Sequence, residues 1–114
     1  MLTVMPRVTM NPDTQTVQFE GAPFDAAVSF FLVDNEPGQG PDLHQHPYAE
    51  VFTIVSGRAL ITAGDEQIEA GREHIAVVGP DTPHGFRNLG PGRLEIVCIH
   101  ANPKMITTWL QPER

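Results

Sequence analysis

Apolar and polar residues alternate with period two through most of the chain, and Gly or Pro interrupts the alternation every few residues. Side chains on a strand point to opposite faces in turn, so this pattern predicts short, half-buried strands joined by turns. Residues 51–55 (Val-Phe-Thr-Ile-Val) predict one strand, Ser56-Gly57 a turn, and residues 58–63 a second strand. A bend at Gly64-Asp65 leads into residues 67–70, and Gly71 turns the chain into residues 74–78. After Gly79-Pro80-Asp81-Thr82-Pro83, His84 opens a further strand, which Leu89-Gly90-Pro91-Gly92 turns into a long one at residues 93–101. Upstream, residues 16–20 and the other short pieces within residues 1–22 predict edge strands, broken at Asn11-Pro12-Asp13 and Gly21-Ala22-Pro23. Residues 26–33 are apolar on both parities, which predicts burial on both faces, inside a sandwich or against another subunit. Only the tail departs from the pattern: Ile106, Trp109 and Leu110 are spaced to give one apolar stripe on a short C-terminal helical turn. Together these elements predict an all-β sandwich or barrel.

Length adds that residues 1–114 form one domain, small enough for a partner subunit to help cover its core. The apolar stretch before Asp34 and the Trp109-Leu110 tail point to a homodimer. A net charge of −7, with Lys104 the only lysine, argues against a nucleic-acid partner and leaves no lysine in a phosphate-cradling loop. One cysteine, Cys98, excludes an intrachain disulfide and suits a reducing compartment. The first residues lack a basic segment followed by a long apolar run, and no apolar run approaches a membrane span. The expectation is a cytoplasmic protein with no membrane partner.

The histidines change the picture from fold to chemistry. A single His in a strand is more often a hydrogen-bonded residue than a ligand. Here His44 and His46 share a strand face by parity, Glu50 follows a Pro47-Tyr48 break, and His84 stands directly behind a turn. Three imidazoles and a carboxylate suit a divalent transition metal: iron, manganese, nickel, zinc or copper.

These residues also carry a resemblance. Gly38, His44, His46, Glu50 and Gly57 reproduce without mismatch the pattern Gly-x5-His-x-His-x3-Glu-x6-Gly, the first motif of the cupin superfamily. Pro83-His84-Gly85-Phe86-Arg87-Asn88 supplies the closing half of the second motif. Its opening half departs from the family: Gly79-Pro80-Asp81 stands where Pro-x-Gly is expected, and Gly71 lies two residues too far upstream. Asp81 thus takes the place of a glycine at a position expected to have positive φ, which Asp tolerates better than most residues. The resemblance covers roughly residues 28–101 and is nearest to small single-domain bacterial cupins. It implies a jelly-roll (double-stranded β-helix) barrel holding a metal through His44, His46, Glu50 and His84, and agrees with a dimer.

Four protein ligands on a six-coordinate metal leave two positions for a substrate or dioxygen. The leading expectation is a metal-dependent enzyme of dioxygenase type acting on a small organic molecule. A non-redox isomerase, cyclase or hydrolase on a sugar-like or keto-acid substrate is a second reading, and a non-catalytic small-ligand-binding cupin a third. Parity places Phe52 and Ile54 on the face of Glu50, and Phe86 and Asn88 on that of His84, as pocket lining, with Arg87 outward. His100, which shares parity with Leu94, Ile96 and Cys98, is a candidate proton-transfer or ligand-supporting group. Tyr48 either donates a hydrogen bond to substrate or caps its turn. Cys98 reads as a core residue and His74 as an exposed strand start.

Overall fold

The computed structural model describes residues 1–9 and 15–110. Among the described residues ten strands form two five-stranded antiparallel sheets. In chain order they are β1 (Val17–Glu20), β2 (Ser29–Asn35), β3 (His44–Gln45), β4 (Glu50–Ser56) and β5 (Ala59–Ala63). β6 (Glu66–Ala70), β7 (Ile75–Val78), β8 (His84–Asn88), β9 (Leu94–His100) and β10 (Thr108–Trp109) follow. The first sheet has the order β1-β2-β9-β4-β7 and the second β10-β3-β8-β5-β6. Each sheet takes strands from distant parts of the sequence, as a jelly roll requires.

The alternation read from the sequence is the alternation of burial. In β9, Leu94, Ile96, Cys98 and His100 are buried while Glu95 is exposed; in β4, Glu50, Phe52 and Ile54 are buried. These inward rows meet Val33, Ile61 and Phe86 between the sheets to form the core. Burying a Leu, Ile or Phe side chain contributes roughly 1.5–3 kcal/mol, so this interior carries much of the stability. Gly57, with φ +87, turns β4 into β5 where an added Cβ would lie 2.5 Å from the Arg93 carbonyl oxygen, so no larger residue fits without movement. Asp81 has φ +56, the left-handed conformation expected where a glycine was missing.

The outer faces of the two sheets differ. On the first sheet, direct register lines up Phe19, Phe30, Ile99, Val51 and Val77 in one row. Val17, Leu32, Val97, Thr53 and Ile75 form the next. On the second sheet the corresponding rows carry Glu69, Leu60 and Arg87, then Gln67, Thr62 and Gly85. One outer surface is therefore apolar and the other polar.

Two expectations need correction or limits. The tail forms no helical turn: Thr108 and Trp109 pair with Gln45 and His44 as β10, and the Leu110 amide donates to the Leu43 carbonyl. The run Ile106-Thr107-Thr108 explains this, because β-branched side chains favour extended backbone. Upstream, among the described residues, residues 17–20 form a strand, with one isolated bridge from Thr9 to Val17; the Asn11-Pro12-Asp13 break lies outside the described residues.

Candidate metal centre

The site lies where the two sheets meet. His44 on β3 stands directly opposite His84 on β8, so their side chains emerge on one side, with ring centroids 4.3 Å apart. On the other sheet, Glu50 of β4 stands opposite His100 of β9. His46 follows β3, and its backbone carbonyl accepts a hydrogen bond from the Asp81 amide, tying the first motif to the left-handed turn before His84. His44, His46, Glu50 and His84 are all buried, and each offers one ligand atom within 4.8 Å of the others.

Every ligand-type imidazole is oriented in the same way. The Nδ1 atoms of His44, His46 and His84 lie 2.7, 2.8 and 2.8 Å from the backbone carbonyls of Asp42, Ile106 and Thr82. A carbonyl can only accept, so each Nδ1 carries the proton and each Nε2 faces the shared centre. His46 Nε2 is buried without a well-aligned hydrogen-bond partner, although Glu50 Oε1 is 3.1 Å away. An orphaned, buried nitrogen lone pair beside a carboxylate fits a cation as its missing partner. The donor set and its geometry thus fit a divalent metal.

Electrostatics agree. Burial is the largest influence on His44 and lowers its pKa to about 4, leaving the neutral imidazole a metal needs. Burial alone would raise the Glu50 carboxyl, but the close approach of the His100, His46 and His84 imidazoles holds it well below the usual carboxylate range. Burial also opposes charge on His84; its 3.0 Å contact with Glu50 Oε1 and its bond to Thr82 outweigh this and raise its pKa.

His100 and Tyr48 lie beside this cluster. Tyr48 Oη is 2.6 Å from His100 Nδ1 and accepts the Ile106 amide at 3.2 Å, and its ring stacks on His46 at 5.1 Å. His100 Nε2 approaches Glu50 Oε2 to 3.2 Å but is out of line for a full hydrogen bond.

Next to the cluster is a cavity of about 440 Å³. Phe52 and Phe86 line it, whereas Ile54 and Asn88 do not: Ile54 packs in the core, and the Asn88 amide bonds the carbonyls of Asn35 and Gly92. Arg87 faces outward, 2.6 Å from Asp42. His74 is exposed, just before β7. Burial, and the nearby Glu50 carboxylate, push the Cys98 thiol well up, so it is an unreactive part of the wall. Sequence reasoning missed Phe31, Val33 and Asn35, which alternate along β2 and were legible by parity from buried Ser29. It also missed Thr107 and Trp109 as wall residues, because the tail was read as helical.

The family model for the cupin domain matches residues 31–100. An uncharacterized protein of Methanocaldococcus jannaschii, MJ1618, is 34% identical over 62 residues, covering 54% of this chain and 50% of that protein. Among solved structures, the oxalate decarboxylase of Lactobacillus farciminis in a formate complex superposes with a TM-score of 0.77 and 19% identity, over 88% of this chain and 32% of the other. Oxalate decarboxylase of Bacillus subtilis, in a study of its Mn(II) centres, gives 0.78 and 19% over 88% and 29%. A recombinant oxalate oxidase with glycolate gives 0.75 and 17% over 90% and 58%. The chain spans half the length of the curated relative and about a third of the decarboxylases.

Proposed function

Since this chain belongs to the cupin domain family, we propose that it is a metal-dependent enzyme of dioxygenase type acting on a small organic substrate. The observation that carries this reading is the orphaned His46 Nε2 within a convergent His-His-Glu-His set that opens on an apolar cavity. His44, His46, Glu50 and His84 would hold the metal. A redox-active ion there would supply electron transfer to dioxygen or substrate. The protein's own part is to fix the ligands through Nδ1 hydrogen bonds, exclude water with Phe52, Phe86 and Trp109, and place the hydroxyl of Tyr48 and the ring of His100 as proton-holding groups. Iron(II), manganese(II), nickel(II) and copper(II) reconstitution, followed by oxygen-electrode assays against a panel of small chelating substrates, tests it. Uptake of dioxygen by one metal form is the expected result; none in any form would overturn the oxygenase reading.

A non-redox isomerase, cyclase or hydrolase on a sugar-like or keto-acid substrate is the alternative, in which the same three imidazoles and carboxylate would hold zinc as a Lewis acid. Turnover by zinc-loaded protein without oxygen would select it. For the assembly, we infer a homodimer formed through the apolar outer face of the first sheet, and a cytoplasmic location in keeping with a single, buried, unpaired cysteine. No helix among the described residues is long and apolar enough to cross a membrane.

A further inference from the structure

The cavity walls suggest which molecule the site would accept. Beyond the ligand set they are formed by Phe31, Val33, Phe52, Phe86, Cys98 and Trp109. Phe31 sets its ring edge-on to His100, 5.4 Å between centroids, and β2 carries the wall onward through Val33 to Asn35. Phe31 and Val33 span about 7 Å of strand and Asn35 lies about 7 Å further, so this wall is longer than a two-carbon molecule. Asn35 is 5% exposed and lines the cavity, which places a neutral polar side chain on its wall.

The positive charges of the chain are elsewhere. Arg58 pairs with Glu69 and Glu73, and Arg93 with Asp34 and Glu36. Arg87 is nearest the cavity, but it lies on the outward side of β8, holding Asp42 and the carbonyls of Pro41 and Phe86. Arg7, Arg72 and Lys104 are exposed, and none of the six lines the cavity. Arg114 lies outside the described residues.

Charge balance then separates substrates. A divalent ion with three neutral imidazoles and the Glu50 carboxylate carries a net charge of about +1, since each neutral ligand adds nothing. A chelator with one negative charge neutralises that centre. A dianion leaves a net negative charge inside apolar walls with no cation among the described residues to pair it, which is costly. We propose that the cavity selects a bidentate oxygen chelator bearing at most one negative charge on an apolar, ring-sized body, and discriminates against small dianions such as oxalate. This rests on the metal-site reading given above and specifies the substrate class for it. The cavity, at about 440 Å³, falls in the range of small-molecule sites.

The test is calorimetric titration of cobalt(II)-loaded protein with tropolone, 4-isopropyltropolone and oxalate. Each affinity is divided by that of the same chelator for aqueous cobalt(II), which removes intrinsic ligand strength. Tropolone, a monoanion, is expected to show a ratio at least about tenfold above that of oxalate, and the isopropyl group to add a further severalfold gain from apolar burial. An oxalate ratio equal to or above that of tropolone, or a loss on adding the isopropyl group, would overturn the proposal. Cobalt content, measured first, separates the two readings. Failure to take up cobalt overturns the metal site and this inference together, whereas stoichiometric uptake with oxalate favoured overturns this inference alone.

Discussion

Tyr48 Oη lies 2.6 Å from His100 Nδ1, and the other nitrogen of that imidazole faces Glu50 Oε2, while Glu50 Oε1 faces His46 and His84. The carboxylate is thus divided between the ligand cluster and a buried Tyr-His pair that restrains its second oxygen. Groups that orient a metal ligand in this way are worth about 10–100-fold in metal affinity. Tyr48→Phe and His100→Gln should each weaken metal binding by about that factor while leaving the fold intact. Competition with a chromophoric chelator, alongside circular dichroism, measures both.

Removing a ligand should have a larger effect than removing its support. His84→Ala and Glu50→Ala are expected to strip the metal, and His74→Ala to leave its content unchanged, because His74 is exposed and remote from the cluster. Plasma mass spectrometry on protein purified without a metal-affinity tag reads the difference. Equal metal in all three variants would mean that the ligand assignment is wrong.

The depressed pKa of His44 makes the metal-free protein acid-sensitive. Between the ordinary value of 6.5 and the folded value of about 4, the unfolded chain binds a proton that folded His44 refuses. Its contribution to stability is therefore complete above pH 6.5 and is lost as pH falls toward 4, amounting to about 3 kcal/mol. His84, shifted upward, acts with the opposite sign: its contribution is full below 6.5 and is lost as pH rises through its folded value. The difference between wild type and His44→Gln isolates the His44 part. Urea unfolding in chelator across pH 4–8 should show a flatter profile for the variant in the lower half of that range.

Apolar rows across a five-stranded face predict association. Ile75 and Val77, on the edge strand, are 73% and 66% exposed, so lysine at both costs the monomer little. Light scattering should report a dimer for wild type and a monomer for the Ile75→Lys/Val77→Lys protein, with unchanged circular dichroism. A monomeric wild type at micromolar concentration would refute the dimer.

The sequence made the inner face of the barrel legible because strand parity is an all-or-none property. Once Glu50 points inward, Phe52 and Ile54 must follow, and once His84 does, Phe86 and Asn88 follow. Parity fixes the face of a residue but not its depth along the barrel. Ile54 and Asn88 share the face of the ligands yet lie away from the cavity, Asn88 holding the turn that contains Gly90. In the tail, Ile106, Trp109 and Leu110 fit a helical stripe in isolation, and their spacing alone points to a helix. What decides its conformation is the edge of β3, which offers backbone partners to Thr108 and Trp109 from more than sixty residues away. The carbonyls that orient the three imidazoles carry no residue-type signal at all.

The segment that leads into the last strand completes the aim of the ligand set, although it comes last in the chain. His44, His46, Glu50 and His84 all leave the ribosome before Ile106, whose carbonyl orients His46 and whose amide binds Tyr48. A nascent chain that displays the complete ligand set still lacks the contacts that aim it. The set is fully aimed only when Ile106 is in place beside His46 and Tyr48.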